Sequence, residues 1–325
     1  MIPGDIAAAL GVRASGTWRP VPGGVPGSYA TSLPFLMAGE PAKVAAELAS
    51  RLRGESWIES ARVTGGGYLT VTVTERALAG LAVRVTEAGA ACAASDALRG
   101  RSFPAPASDD PACAPTWAAA RRLVAAAVTA RAAQCGGATL DIEPERYAPP
   151  GLAPAAAVAF AGTDAVRYAL VRSASVRAEP TEGELLVQGG LDGPFFGVRY
   201  GHAQAASVLR WAGDLGMERG GADEFRGELL SHPAELELLT ALSWLPERVA
   251  AAARRRRPDV LARHVEWMAS RWLDCAEGLP ALPFGGRQAP RDPAEASARL
   301  WLAAAAQTGI ATGLRLLGVA APCRI

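Results

Sequence analysis

The sequence predicts a chain of three parts: an α+β domain (1–75), a short remodelled middle region with one helix (76–160), and connecting helices that lead into an all-α helical bundle (161–325). Three observations predict it. In the last third, apolar residues recur every three or four positions, as the inward stripe of a helix requires. Near the N-terminus Leu69, Val71 and Val73 alternate with Thr, the period of a strand with one face buried. Between these stretches the composition turns to Ala, Pro and Gly and both periods fade.

Taken in order, Ala42–Arg53 carries Val44, Leu48 and Leu52 at four-residue spacing and reads as a helix. Trp57–Val63 and Tyr68–Thr74 read as two strands of a hairpin, split by Gly65-Gly-Gly67. In the middle region, Pro104-Ala-Pro-Ala-Ser-Asp-Asp-Pro111 is a linker signature, and Trp117–Gln134 is a helix ended by Gly136 and Gly137. Three amphipathic helices follow in the bundle: one on Leu238, Leu242, Leu245 and Val249, one on Leu261, Val265, Met268, Trp272 and Cys275, and one on Ala303, Ala306, Ile310, Leu314 and Leu317. Pro258 with Asp259, and Asp292 with Pro293, are start signals for the second and third; Gly318 and Pro322 mark the end of the last.

Composition narrows the function classes. A chain of 325 residues can bury two or three cores, and no apolar run reaches the length of a membrane-spanning helix. The N-terminus lacks the basic-then-apolar pattern of a signal peptide, and the five cysteines are odd in number and scattered, so reduced thiols in the cytoplasm, with no metal spacing, are expected. Net charge is +1, so any nucleic-acid role must rest on local patches. Lysine occurs once, at Lys43, so a lysine-dependent catalytic loop has no place elsewhere.

Several segments, in the same order, resemble class I arginyl-tRNA synthetases. The terminal run from Ala298-Arg-Leu to Gly313-Leu-Arg-Leu-Leu-Gly-Val-Ala-Ala-Pro322, with Trp244-Leu-Pro-Glu247, is similar to their DALR-type anticodon-binding domain. Gly162–Tyr168 and Pro194–His202 resemble their G-A-D-A-V-R-Y and N-P-V-Y-Y-V-Q-Y-A-H-A-R segments. Gly27–Ser32 and Gly65–Val71 resemble G-D-Y-A-T-N and G-x-G-F/Y-L-N-F of their N-terminal additional domain.

The resemblance implies tRNA contacts at particular positions. On the Tyr68 strand an aromatic residue and an Asn meet the D-loop in the family; Tyr68 keeps the stacking surface, while Thr70 replaces the Asn and offers only a hydroxyl. On the Pro194 helix the family sets aromatic, amide and basic groups against the anticodon loop. Here Tyr200 and His202 persist, while Arg199 and Gln204 stand where the family has Gln and Arg. Stacking on splayed bases and contact with phosphates is one reading of this helix; aromatic residues kept only for packing is the other. Tyr68 is open to the same two readings. Arg254 and Arg255 begin the strongest basic run, Arg254–Arg257, which suits either phosphate binding or a solvated helix end whose cations meet the macrodipole. Arg167 and Arg172 read as surface or salt-bridge residues, His232 as a helix-entry residue, His264 as a core-edge or surface residue, and the cysteines as small hydrophobes.

The family's Rossmann-type catalytic domain would fall in 76–160, an interval several times too short for it. Only His202, His232 and His264 are present, with no H-x-G-H pair, and Lys43 lies far before the place of the family's lysine loop. Glu143, Glu145, Glu184 and Asp192 form no acid/base pair. The expectation is a non-catalytic relative without cofactor, a tRNA-binding or adaptor protein whose partners are tRNA, tRNA-Arg in the first instance, and a tRNA-modification enzyme or other protein. A protein–protein scaffold that has lost RNA binding, part of a split synthetase, and new chemistry in 76–160 are the alternatives.

Overall fold

The computed structural model describes residues 2–12, 16–143, 151–173, 193–283, 290 and 292–325. These fall into two compact units, each assembled from three stretches of chain: 1–87, 208–247 and 274–305 form the first, and 88–207, 248–273 and 306–325 the second. The units are thus discontinuous in sequence, whereas the three parts read from the sequence are consecutive.

The first unit holds an antiparallel sheet in the order β1-β2-β4-β3, with β1 at Trp18–Pro20, β2 at Ser28–Thr31, β3 at Ile58–Thr64 and β4 at Tyr68–Val73. The predicted hairpin is β3–β4, and its Leu69, Val71 and Val73 are buried as the alternation requires. Gly65, Gly66 and Gly67 all take positive φ in the connection, and a Cβ on Gly67 would stand 2.7 Å from Cβ of Pro41, so only glycine fits there. Helix α1 spans Ile2–Ala9; α2, at Pro41–Leu52, buries Val44, Leu48 and Leu52 against β3 and β4. Strand β2 was not legible as a strand because it is four residues long with a single large apolar side chain, Tyr29. That ring is fully buried 5.3 Å from Trp244, and its hydroxyl donates to Ser243 Oγ at 2.7 Å. Short helices α3 (Glu75–Ala79) and α4 (Leu81–Ala88) follow the sheet.

The middle region is richer than the sequence suggested. Strand β5 (Ser102–Pro106), helix α5 (Trp117–Cys135) and strand β6 (Thr139–Glu143) form a βαβ unit with the strands parallel. The linker signature therefore begins inside a strand, sharing residues 104–106 with β5. Proline is admitted because residues of one parity in β5 face an edge that asks no donor of them. Helices α6 (Leu152–Ala161) and α7 (Thr163–Arg172) complete this part of the second unit.

The helical region comprises α8 (Pro194–Asp214), α9 (Pro233–Ser243), α10 (Leu245–Arg255), α11 (Pro258–Gly278) and α12 (Pro293–Leu317). The first of the three helices expected in the bundle is thus two, broken at Trp244: Pro246 cannot donate to the carbonyl of Leu242 and its ring crowds that group, whereas Pro is well placed in the first turn of α10. His232 is the N-cap of α9, as expected. Its Nδ1 accepts from Ala234 N at 3.2 Å, while Glu235 reaches back to His232 N at 3.1 Å. His264, read as a core-edge or surface residue, is instead buried, with its ring 5.5 Å from Trp267.

Candidate functional site

The N-terminal half of α8 is built by aromatic packing. Phe195 is buried 5.5 Å from the ring of Tyr168, itself buried, which fixes that face of the helix inward. Gly201 lets α8 approach α11 closely: a Cβ there would meet Cβ of Ala269 at 3.0 Å. Held in this way, the helix turns Phe196 and Tyr200 outward, one turn apart, with rings 5.7 Å apart and 12° from parallel. Tyr200 is 45% exposed. Arg199 lays its guanidinium 5.0 Å from the centroid of Phe195, a cation–π contact, while its Nε is buried without a partner. A flat aromatic pair beside a delocalised cation is the surface on which unpaired bases and phosphates are held.

His202 and Gln204 have different surroundings. His202 is 3% exposed, and its Nδ1 lies 2.8 Å from the carbonyl of Pro322. A carbonyl only accepts, so Nδ1 carries the proton; burial pushes the imidazole pKa down, and the neutral ring is favoured. The ring is therefore unsuited to stacking and instead fastens the residues that follow α12. It also lines a surface pocket of about 290 Å³ with Gln307, Thr308, Thr312 and Arg315. Those four escaped the sequence reading because they occur singly on a helix read only for its apolar stripe. Gln204 is half-buried, with Oε1 enclosed and unpartnered.

Arg255 is exposed at the end of α10 and Arg254 half-buried; the run continues with Arg256 and with Arg257, which forms a bidentate pair with Asp259 at 2.8 Å for both contacts. That pair holds the Asp259 carboxyl below the usual carboxylate range. All four α8 residues and this helix end belong to the second unit. Tyr68 and Thr70 belong to the first. There Tyr68, 37% exposed, packs its ring 4.9 Å from Phe35, and Thr70 shares a 2.8 Å hydrogen bond with Thr64. Phe35, Leu36 and Met37 are exposed as well, so Tyr68 lies in an apolar surface patch that the sequence reading missed, since Leu33–Leu36 forms a 3-10 turn with no periodicity to follow.

Burial pushes the thiols of Cys275 and Cys135 up, to about 12 and about 11, away from the thiolate that a nucleophile needs. No group of three or more metal-ligating side chains converges among the described residues. Glu143 is exposed on β6, while Glu145, Glu184 and Asp192 lie outside the described residues. Arg172 is a salt-bridge residue, donating to Glu266, which also accepts from the hydroxyl of Tyr168. No helix among the described residues is long and apolar enough to cross a membrane.

Residues 198–325 match the profile of the DALR anticodon binding domain. Curated arginine–tRNA ligases are similar over the C-terminal half: that of Pseudarthrobacter chlorophenolicus is 40% identical over 169 residues, covering 50% of this chain and 29% of the ligase. The ligase of Frankia alni is 38% identical over 164 residues, again 50% of this chain and 29% of its own length. The matched stretch is thus under a third of either relative. The solved arginyl-tRNA synthetase of Thermus thermophilus aligns with 99% of this chain and 58% of its own at a TM-score of 0.40 and 20% identity. Residues 198–325 are thus similar to the DALR anticodon binding domain, within a C-terminal half that resembles arginine–tRNA ligases in sequence.

Proposed function

We propose that this chain is a non-catalytic relative of arginine–tRNA ligases that binds tRNA, tRNA-Arg in the first instance, and acts as an adaptor or regulator. One observation carries the reading: the helix on which the DALR match begins presents Tyr200, laid on Phe196, with Arg199 beside it. Tyr200 stacks on an unpaired base of the anticodon loop, Arg199 meets an adjacent phosphate, and Arg254 and Arg255 add diffuse attraction for the backbone. His202 serves by position, holding the chain end in place. Tyr68 and Thr70 offer a second contact, to the D-loop, in which Tyr68 supplies stacking and Thr70 a hydroxyl already engaged with Thr64.

Gel-shift titration with tRNA-Arg at about 50 and 200 mM salt tests the reading, with affinity expected to fall steeply with salt. Absence of binding at the lower salt would sink it. The non-catalytic part is tested separately by arginine-dependent ATP–pyrophosphate exchange, where any exchange above the blank refutes it. The net charge of +1 favours a second reading, a protein scaffold that has lost RNA binding and docks a tRNA-modification enzyme or another protein. Replacing Arg199 and Tyr200 by Ala separates the two. Under the first reading RNA affinity falls; under the second it is absent from the start and partner co-purification is unchanged.

A further inference from the structure

The two edges of the β5–β6 sheet are built differently. The pair is parallel with Ser102 opposite Thr139, and Thr139 N donates to the carbonyl of Arg101 at 3.0 Å. In a parallel ladder this assignment fixes the direction of every backbone group. Residues 101, 103 and 105 point towards β6; Ser102, Pro104 and Pro106 point away. Along β6, Thr139, Asp141 and Glu143 point towards β5, and Leu140 and Ile142 point away. The outer edge of β5 therefore has two prolines where donors would stand, a usual way of closing an edge to further pairing. The outer edge of β6 keeps the N–H and C=O of Leu140 and Ile142, and no described strand pairs with them.

The faces continue the asymmetry. Phe103 and Ala105 are buried on the face that α5 covers, and their partners across the ladder are Leu140 and Ile142. Yet Ile142 is 75% exposed, so the apolar face runs on past the last strand and is left open there among the described residues. On the opposite face Thr139, Asp141 and Glu143 are all exposed and carry two carboxylates. Pairing with the same strand of a second copy would set these carboxylates against their own kind, which disfavours self-association.

We propose that the outer edge of β6 is a docking site for an extended, basic strand of another protein, which adds to the sheet as its third strand. Its backbone pairs with Leu140 and Ile142, its apolar residues extend the layer over Ile142, and its alternate lysines or arginines face Asp141 and Glu143. The proposal is independent of the tRNA reading. A labelled peptide of alternating lysine and valine, and a glutamate–valine counterpart, are titrated into the full chain and into the Ile142→Pro variant. That substitution removes the outward donor at an edge, the device already present in β5, together with the isoleucine side chain that the docked strand would cover, and circular dichroism checks that the variant is folded. The lysine peptide is expected to bind the native chain and to slow amide exchange at Leu140 and Ile142, with affinity about tenfold or more weaker for Ile142→Pro and for the glutamate peptide. No binding, equal binding to the variant, or equal binding of the two peptides overturns the proposal. So does a native dimer that Ile142→Pro dissociates, which would make a second copy the occupant.

Discussion

Two helix ends in the second unit close in the same backbone motif and are finished by opposite means. At the end of α12, Gly318 N donates to Arg315 O and Val319 N to Leu314 O; at the end of α10, Arg256 N donates to Ala253 O and Arg257 N to Ala252 O. Both are Schellman closures with a left-handed residue just past the helix. At α12 that residue is Gly318, with φ +74, and the terminal carbonyls are taken up by arginines from elsewhere: Arg131 Nε donates to Leu316 O at 2.9 Å, and Arg167 Nη1 to Gly318 O at 2.5 Å. Asp109 accepts from both guanidiniums, one on each oxygen. At α10 the left-handed residue is Arg256, with φ 51, the single non-glycine residue of positive φ among the described residues. Its end carries the chain's own exposed cations. One terminus is organised for holding, while the other bears a strained arginine that folding alone would replace with glycine.

Loosening the held end should have the largest effect. Arg167 is mostly enclosed, and Arg167→Met leaves the Gly318 carbonyl and one oxygen of Asp109 without a partner, for an expected loss of about 3 kcal/mol. Arg167 Nε and Arg131 Nη2 are buried with no partner even in the intact cluster, a cost that offsets part of what the clamp contributes. Urea unfolding followed by circular dichroism measures it; a change under about 1 kcal/mol would mean that apolar packing, not the arginines, holds the end. Gly318→Ala should cost about 2 kcal/mol, combining the left-handed penalty with crowding. The new Cβ would stand 2.6 Å from Arg131 Nη2.

At the open end the sign reverses. Arg256→Gly relieves the backbone and should stabilise the protein by about 1 kcal/mol. If the run contacts phosphates, the same substitution weakens tRNA binding and lowers the salt slope by about 1. Greater stability with unchanged RNA affinity would leave the strain of Arg256 without a functional explanation and reduce the run to a solvated helix end.

The end of α12 was legible in sequence from Gly318 and Pro322, because the left-handed requirement of a helix stop is local chemistry. The clamp around it was not: Asp109, Arg131 and Arg167 are far apart in the chain, and nothing local distinguishes a clamping arginine from a surface one. The hairpin was legible for the same local reason, whereas β5 was hidden by Pro104 and Pro106, which signal a linker unless the strand is known to lie at an edge. On α8, Tyr200 is exposed and Arg199 half-buried. His202 is buried, since its spacing of two from Tyr200 turns it to another side of the helix.

That buried histidine gives the finest test of the held end, because it fastens the residues beyond Gly318 through Pro322. Burial depresses its pKa in the folded state, so the unfolded chain, with a histidine near 6.5, takes up a proton that the folded chain resists. Above that pH both states are neutral and the ring costs nothing in charge. As pH falls through about 6.5 the unfolded state is increasingly favoured, at no more than about 1.4 kcal/mol per pH unit from this one group. The window lies above that of Asp259, whose depressed pKa contributes stability that is lost only as pH falls through the carboxylate range. Thermal melts of the native chain and of His202→Gln at pH 7.5, 6.5 and 5.5 isolate the effect, since every other titrating group is common to both. The native protein should lose more stability across that interval than the variant does. Parallel curves would mean that the ring is protonated as readily in the folded chain as in the unfolded one, and that the Pro322 contact survives the charge.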